Sequence, residues 1–298
     1  MVGSAKAFGI ERLRIDATGG QARRRIGVPQ TDTPMNGKRS VALLVILLLA
    51  GCNVTRPAPP LPRLAVDPDG ISVSGLSSGG FMAVQVHVAH SAVFRRGAGI
   101  VAGGPFYCSE GFLGHALGRC MAHSGDIPVR TLAAVTRDWA DRDRIDPVGN
   151  LGTSRIYLFS GTTDRTVAPA VVNDLEAYYR SLAPASNIVH ENGIAAGHAM
   201  ITDDYGGRCE TTAPPFINDC DFDLAGEMLR HLYGPLKARN DGALRGRLTE
   251  FDQAAFVSGH GMAERGWVYI PQTCTAGATC ALLVVRARGW HGGIGAGP

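Results

Sequence analysis

A serine flanked by glycines lies where an apolar segment meets a helical one. Ile71–Leu76 is apolar enough for a short buried strand, and Ser78–Phe94 has the apolar content of a helix. The sequence GLSSG at 75–79 joins them with the pattern Gly-x-Ser-x-Gly. Glycines allow a sharp turn that projects the serine hydroxyl from a sheet edge and lets the next N–H hold an oxyanion. The pattern predicts Ser77 as a nucleophile and Ser78 as an oxyanion donor, against the alternative of a glycine-rich surface turn.

A nucleophilic serine needs an acid and a base, which follow it in the order acid, then histidine, in α/β-hydrolases. Asp164 lies in a loop directly after the predicted strand Arg155–Phe159, where the acid is expected. A loop aspartate that caps the following helix is the equal alternative. His198 lies in the loop NGIAAGHAM and is the best-placed base, whereas the other downstream histidines lie on a strand, on a helix or in glycine-rich segments: His190, His231, His260 and His291.

The order of segments predicts an α/β fold with helices on both faces of a sheet, because strands and helices alternate after residue 70. Residues 237–245 are polar and indicate a linker. The remaining predicted strands are Ala98–Ala102, Ile188–Val189, Leu248–Phe251, Trp267–Ile270 and Ala281–Val285, and the remaining helices are Val129–Ile145, Ala168–Leu182 and Phe222–Leu232.

The sheet of an ordinary α/β-hydrolase has several strands before the nucleophile. Here only 25 residues separate Cys52 from Ser77 (77 − 52). The strands after residue 245 must therefore supply the missing part, which predicts a circularly permuted sheet.

The N-terminal region has the pattern of a lipoprotein export signal. Lys38 and Arg39 precede the apolar run VALLVILLLA, which is too short for a membrane span, and LAGC ends at Cys52. This ending resembles the bacterial lipobox, so we expect Cys52 to be lipidated; a buried core strand is the alternative. Residues 35–51 then form the signal peptide, and residues 1–34 either do not belong to the native protein or are disordered.

Six cysteines remain once Cys52 is set aside, an even number that favours disulfides in an oxidising compartment. A zinc site is the alternative, but the spacing of the cysteines is unsuited to it. Many pairings are open, and sequence neighbours suggest three local loops: Cys108 with Cys120, Cys209 with Cys220, and Cys274 with Cys280. The net charge of +3 is too small for a basic nucleic-acid surface.

Several segments together resemble the secreted poly(3-hydroxybutyrate) depolymerases of the single-domain, circularly permuted α/β-hydrolase type. They are SGLSSGGFMAVQVHVAHSAVF, SGTTDRTVAP, GHAM, CETTAPPFINDCDFDLAGEMLRHLYGPL and FDQAAFVSGHGMAERGWVYIPQTC. The resemblance covers about residues 70–285. It implies that Ser77, Asp164 and His198 form the catalytic triad, and that cysteine pairs lie near these motifs.

The sequence departs from that family after residue 285. The family continues into a His-Gly-Cys loop, a helix and a further strand, whereas this chain ends in RARGWHGGIGAGP. We therefore expect incomplete C-terminal strands and an aberrant glycine-rich tail over 286–298. The resemblance implies that the cysteine N–H of the missing loop is the second oxyanion donor. Because one such donor contributes about 10²–10³ in kcat, we expect this chain to be less than fully active.

The predicted organisation is a lipidated cysteine and proline-rich tether over 52–69 and an α/β-hydrolase catalytic domain over 70–285. The predicted function is a serine esterase that acts on a polyester through an acyl-enzyme, without a metal or an organic cofactor. We expect an exported protein anchored by lipid at the bacterial cell envelope, or extracellular. The alternatives are a feruloyl or acetyl-xylan esterase and a catalytically impaired surface lipoprotein that binds polymer.

Overall fold

The computed structural model of the chain describes residues 58–240, 242–257 and 262–286. Its strands are β1 (Val66–Leu76), β2 (Gly97–Val101), β3 (Arg155–Phe159), β4 (Ile188–Glu191), β5 (Met200–Thr202), β6 (Gly207–Arg208), β7 (Ile217–Asp219), β8 (Gly246–Asp252), β9 (Arg265–Pro271) and β10 (Cys280–Arg286). Its α-helices are α1 (Ser78–Ala89), α2 (Leu113–Leu117), α3 (Val129–Asp141), α4 (Pro169–Arg180), α5 (Leu224–Tyr233), α6 (Ala254–Val257) and α7 (Gln272–Thr275).

The centre of the molecule is a five-stranded sheet in the order β10-β1-β2-β3-β4, with every neighbouring pair parallel. β5, β7 and β6 form a small second sheet, and β8 and β9 form an antiparallel hairpin. A parallel sheet flanked by helices confirms the predicted α/β class.

Alternate residues of each strand point to opposite faces of the central sheet, and helices cover both faces. In β3, Ile156 and Leu158 pack into a core with α1, α3 and α4, whereas Tyr157 and Phe159 pack into a second core with α5. The apolar run of β3, buried after Arg155, is therefore what a strand between two helical layers requires.

α5 lies very close to the backbone of β2. A Cβ atom at Gly99 would lie 2.2 Å from the sulfur of Met228, so a larger residue there would displace the Met228 side chain. Asp223 begins α5 by accepting the N–H of Gly226 at 2.8 Å, which satisfies one of the free donors of the first turn.

The helix after Ser77 is shorter than predicted. α1 ends at Ala89 rather than at Phe94, and the N–H groups of Val93 and Phe94 both bond to the carbonyl oxygen of His90 in a turn. The chain must reverse here to enter β2 at Gly97, whose φ of 126° favours glycine. Tertiary connection therefore overrides the helical content of this segment.

The C-terminal strands complete the sheet only in part. β10, the last strand in the described chain, pairs with β1, as a circularly permuted sheet requires. Of the strands after residue 245, which were the candidates for the missing part, only β10 joins this sheet within the described residues, whereas β8 and β9 pair with each other in a separate sheet. Within that hairpin, the ring of Phe251 lies over Gly266, where a Cβ atom would be 2.3 Å from it.

β1 begins at Val66, so the last residues of the predicted tether are part of the sheet. Pro60, earlier in the same segment, forms a bridge with Asp252 of β8. No helix within the described residues is long and apolar enough to cross a bilayer. The signal peptide, Cys52 and residues 287–298 lie outside the described residues.

Candidate active site

Ser77 occupies a strained turn between β1 and α1. Its φ of 59° and ψ of −124° are rare for a residue with a side chain. The turn closes tightly, because a Cβ atom at Gly75 would lie 2.3 Å from the carbonyl oxygen of Gly79, and one at Gly80 would lie 2.8 Å from that of Val101. Gly75, which belongs to the pattern, and Gly80, which follows it, are therefore both needed for this turn.

Backbone hydrogen bonds fix the position of Ser77 on both sides. Its N–H donates to the carbonyl oxygen of Val101 at 2.9 Å, and its own carbonyl oxygen accepts the N–H of Phe81 at 2.9 Å as α1 begins. Ser78 is the first residue of α1 and is exposed, and the first N–H groups of a helix have no partner within it. The helix N-terminus beside Ser77 therefore offers donors and a positive partial charge to an anion.

Asp164 lies in the loop that follows β3 and is only 5% exposed. One carboxylate oxygen accepts the N–H groups of Thr166 (2.8 Å) and Val167 (3.0 Å). The other oxygen lies 2.7 Å from Nδ1 of His198. The alternative of a helix cap does not hold, since α4 begins at Pro169 without a side-chain cap. The three contacts instead fix the direction of the carboxylate.

His198 lies in the loop between β4 and β5 and is also 5% exposed. Its backbone N–H donates to Oγ1 of Thr212 at 2.9 Å. Gly197, just before it, donates its N–H to the carbonyl oxygen of Cys209. A Cβ atom at Gly197 would lie 2.5 Å from the carbonyl oxygen of Glu210. The segment around residues 209–212 therefore holds the histidine loop by its backbone.

The six cysteines of the domain pair within three short segments. Cys108 bonds to Cys120, Cys209 to Cys220 and Cys274 to Cys280, the pairs that sequence neighbours suggest. The bond between Cys209 and Cys220 closes the segment that contacts Gly197 and His198. Buried Asn218 bonds to the carbonyl oxygens of Cys209 (2.9 Å) and Thr211 (2.7 Å) in the same segment.

The three candidate triad residues follow strands of one parallel sheet. Ser77 follows β1, Asp164 follows β3 and His198 follows β4, and the carboxyl ends of parallel strands share one edge, where α/β proteins bind their ligands. The structure brings Asp164 and His198 into direct contact, whereas Oγ of Ser77 has no hydrogen-bond partner among the described residues. Bonds between a nucleophile and its base often tighten only when substrate binds.

The other histidines have different neighbours. The side chain of His190 is buried, with Nδ1 2.9 Å from Glu176 and Nε2 3.2 Å from Oγ of Ser160. His231 on α5 bonds to the carbonyl oxygen of Asn187 at 2.9 Å. His260 and His291 lie outside the described residues.

Sequence reasoning missed the groups that orient the acid and the base. Thr212 lies 14 residues after His198 in a segment rich in threonine and proline, where no local pattern marks it. The N–H groups of Thr166 and Val167 are backbone donors that nearly any residue could supply. The available signal for these two donors was Asp164 itself, because an aspartate in a turn often accepts hydrogen bonds from the backbone N–H groups that follow it.

No family model matches this chain, but relatives of known type do. A poly(3-hydroxybutyrate) depolymerase from Delftia acidovorans is 54% identical over 250 residues, which are 83% of this chain and 51% of that protein. A polyhydroxybutyrate depolymerase from Talaromyces funiculosus is 37% identical over 253 residues, 84% of this chain and 73% of that protein. The chain thus spans about half the length of the first relative and about three quarters of the second.

Solved structures give the same relationship. A PHB depolymerase variant complexed with an R3HB trimer has a TM-score of 0.71 and 37% identity, over 76% of this chain and 71% of that chain. The PHB depolymerase from Penicillium funiculosum has a TM-score of 0.70 at the same identity and coverage. The fold, the order of the candidate triad and these relatives agree, and the chain belongs to the polyhydroxybutyrate depolymerase family.

Proposed function

We propose that this chain is a serine esterase that hydrolyses poly(3-hydroxybutyrate) or its oligomers through Ser77, His198 and Asp164. The observation that carries the proposal is the buried pair of Asp164 and His198, whose side chains are 2.7 Å apart. The pair lies at the sheet edge where the strained turn presents Ser77. Relatives named as depolymerases support the choice of polyester.

In the proposed reaction, Nε2 of His198 takes the proton of the Ser77 hydroxyl as its oxygen attacks the ester carbonyl. The contact with Asp164 places a proton on Nδ1 of His198, so that Nε2 is free to act as the base. The carboxylate also stabilises the imidazolium that forms. Because Thr166 and Val167 hold the other carboxylate oxygen, Asp164 keeps its orientation through the cycle.

The carbonyl oxygen of the ester becomes negatively charged as Oγ of Ser77 bonds to the carbonyl carbon. The Ser78 N–H at the start of α1 helps to bind this oxyanion. Collapse of this intermediate expels the alcohol end of the ester, which takes a proton from His198. The resulting acyl-enzyme is hydrolysed by a water molecule that His198 deprotonates. The product is a hydroxy acid or a shorter oligomer, and the serine regains its proton.

Substitution of Ser77 tests this assignment in the full chain. We expect Ser77→Ala to abolish both hydrolysis of a p-nitrophenyl short-chain ester and covalent labelling by a fluorophosphonate probe. Ser78→Ala is the matched control, because it keeps the backbone N–H and should retain labelling. Retained turnover in Ser77→Ala would contradict the proposal. Faster release of products from a feruloyl ester than from a polyhydroxybutyrate film would instead favour an esterase of a different substrate class.

The proposal extends to the location and organisation of the protein. Three disulfides fit an exported protein, since such bonds persist in oxidising compartments. The LAGC motif, whose last residue is Cys52, supports a lipid anchor. In this proposal, residues 53–69 connect the anchor to a catalytic domain over 70–285. We therefore place this enzyme at the cell envelope, with its ester substrate as the partner.

A further inference from the structure

The loops that carry Asp164 and His198 are joined by hydrogen bonds beyond the end of the central sheet. The N–H of Ser160 donates to Glu191 (3.1 Å), that of Thr162 to Ile194 (2.8 Å) and that of Thr163 to Ala196 (3.2 Å). Gly161 permits this approach, because a Cβ atom there would lie 2.1 Å from the carbonyl oxygen of Ala196. The two loops therefore form one unit, with its first hydrogen bond at Ser160.

A chain of polar side chains is attached to that first bond, buried at Ser160 and His190 and partly exposed at Glu176 and Arg180. Oγ of Ser160 lies 3.2 Å from Nε2 of His190 on β4, and Nδ1 of His190 lies 2.9 Å from Oε2 of Glu176 on α4. The other oxygen of Glu176 accepts two N–H groups of Arg180, at 2.8 and 2.6 Å. β3, β4 and α4 are thus connected through one imidazole.

The charge of Glu176 fixes the orientation of the His190 ring. Burial would raise the pKa of the Glu176 carboxyl, but hydrogen bonds from His190 and Arg180 lower it below its usual value. The ionised carboxylate accepts a hydrogen bond from Nδ1–H of His190. The other ring nitrogen, Nε2, is then directed at Oγ of Ser160.

This group of serine, histidine and glutamate has the composition of a second triad but cannot bind a substrate. Ser160 is fully buried, and the side chain of His190 is 3% exposed. No ester carbonyl can reach the hydroxyl of Ser160. Any contribution to the reaction must therefore act through the loops that these residues join.

We infer that His190 is a positioning residue, which holds the Asp164 loop against the His198 loop through Ser160 and Glu176. This inference rests on the proposed esterase function. Asp164 lies four residues after Ser160, and α4, which carries Glu176, begins five residues after Asp164. The Asp164 loop is therefore fixed at its start by Ser160 and beyond its end by Glu176, with His190 bonded to both.

The test compares four variants of the full chain: Ser160→Ala, His190→Gln, Glu176→Gln and His231→Gln. His231→Gln is the matched control, since its ring bonds to Asn187, the residue just before β4. Each variant is checked by circular dichroism, and kcat and KM are measured with a p-nitrophenyl short-chain ester across pH. The rate of fluorophosphonate labelling at Ser77 is measured separately.

We expect Ser160→Ala and His190→Gln to lower kcat and the labelling rate about tenfold or more with KM nearly unchanged, because small displacements of catalytic groups cost rate. The acidic limb of the pH profile should also move to lower pH, since a displaced carboxylate stabilises the protonated base less. Glu176→Gln, whose amide oxygen can still accept from Nδ1, should have a smaller effect. His231→Gln should label at the wild-type rate.

Folded Ser160→Ala or His190→Gln protein with wild-type kcat, labelling rate and pH profile would overturn the inference. If His190→Gln does not fold, Ser160→Ala decides alone, because it removes a single hydroxyl. The proposed esterase function fails separately, through a wild-type chain that neither labels at Ser77 nor hydrolyses the ester.

Discussion

His87 is a histidine of α1 that is enclosed in the core and faces α4. It is fully buried, and its Nδ1 lies 3.0 Å from the hydroxyl of Tyr179. Its Nε2 has no hydrogen-bond partner among the described residues. Burial lowers the pKa of His87 from 6.5 to about 4, because a charged imidazole would lose its hydration there. The folded protein therefore keeps this ring neutral at mildly acidic pH.

This buried ring predicts a loss of stability in acid. Between pH 6.5 and about 4 the unfolded chain binds a proton at His87 that the folded chain does not, so the free energy of unfolding falls as pH falls. We expect the contribution of His87 to fall by about 2 kcal/mol from pH 7 to pH 5. Urea unfolding of the wild type and His87→Gln at both pH values measures it. A pH dependence unchanged by the substitution would contradict this account.

The sequence predicted some residues of the site better than others. Ser77 was identifiable because its turn needs glycines at fixed neighbouring positions, and these are visible in the chain. Asp164 and His198 could be located by their place after strands. His190 could not be recognised as part of the site, since its partners Glu176 and Ser160 are 14 and 30 residues away.

Two disulfides close loops of similar length, but within the described residues only one of these loops contacts the segment that carries His198. The bonds between Cys209 and Cys220 and between Cys108 and Cys120 join residues separated by 11 and 12 positions. Closing loops of such similar length contributes a similar stabilisation, about 3 kcal/mol each. The first bond, however, closes the segment that bonds to Gly197 and His198.

Removing each disulfide should therefore separate stability from activity. We expect Cys209→Ser with Cys220→Ser and Cys108→Ser with Cys120→Ser to lower Tm by similar amounts. At a temperature where both are folded, the first pair should lower kcat/KM for a short-chain ester more strongly. Calorimetry and steady-state kinetics on the two double variants provide the comparison. Equal activities would show that the histidine loop does not depend on this bond.

Secondary structure was predictable where local and tertiary preferences agree. The strand Arg155–Phe159 was predicted with its observed bounds, because an apolar run suits a sheet covered on both faces. β1 extends back to Val66 through the sequence VDPDG, whose proline and aspartates disfavour strands. Pairing with β10, with an irregularity between Val66 and Ile71, provides that extension. Only the partner strand, distant in sequence, could reveal it.

At the scale of the whole molecule, the central sheet and the β8–β9 hairpin are separate hydrogen-bonded units. The count of residues before Ser77 predicted that strands after residue 245 supply part of the sheet, and β10 does so by pairing with β1. It could not predict which of the late strands would do so. Residue counting shows that the segment before Ser77 is too short for the usual strands. Which later strand pairs with β1 depends on the free edge of the sheet, which exists only in the folded chain.

The proposed envelope location gives a prediction for the complete chain. Expressed in a bacterial host, the protein should incorporate labelled palmitate and sediment with membranes, because the sequence ending at Cys52 has the pattern of a lipidation signal. Cys52→Ser should carry no label. Cys274→Ser is the matched control, since Cys274 pairs with Cys280 inside the described domain. Absence of label from the wild type, or its persistence in Cys52→Ser, would contradict a lipid anchor.

The short span of every disulfide in the described domain affects how the protein can be produced. The three bonds join residues 12, 11 and 6 positions apart, so each cysteine has its native partner at a high effective concentration even in an unfolded chain. Correct oxidation therefore depends little on assembly of the central sheet. For a recombinant preparation, the slow and error-prone stage is the ordering of a parallel sheet whose first and last strands are distant in sequence.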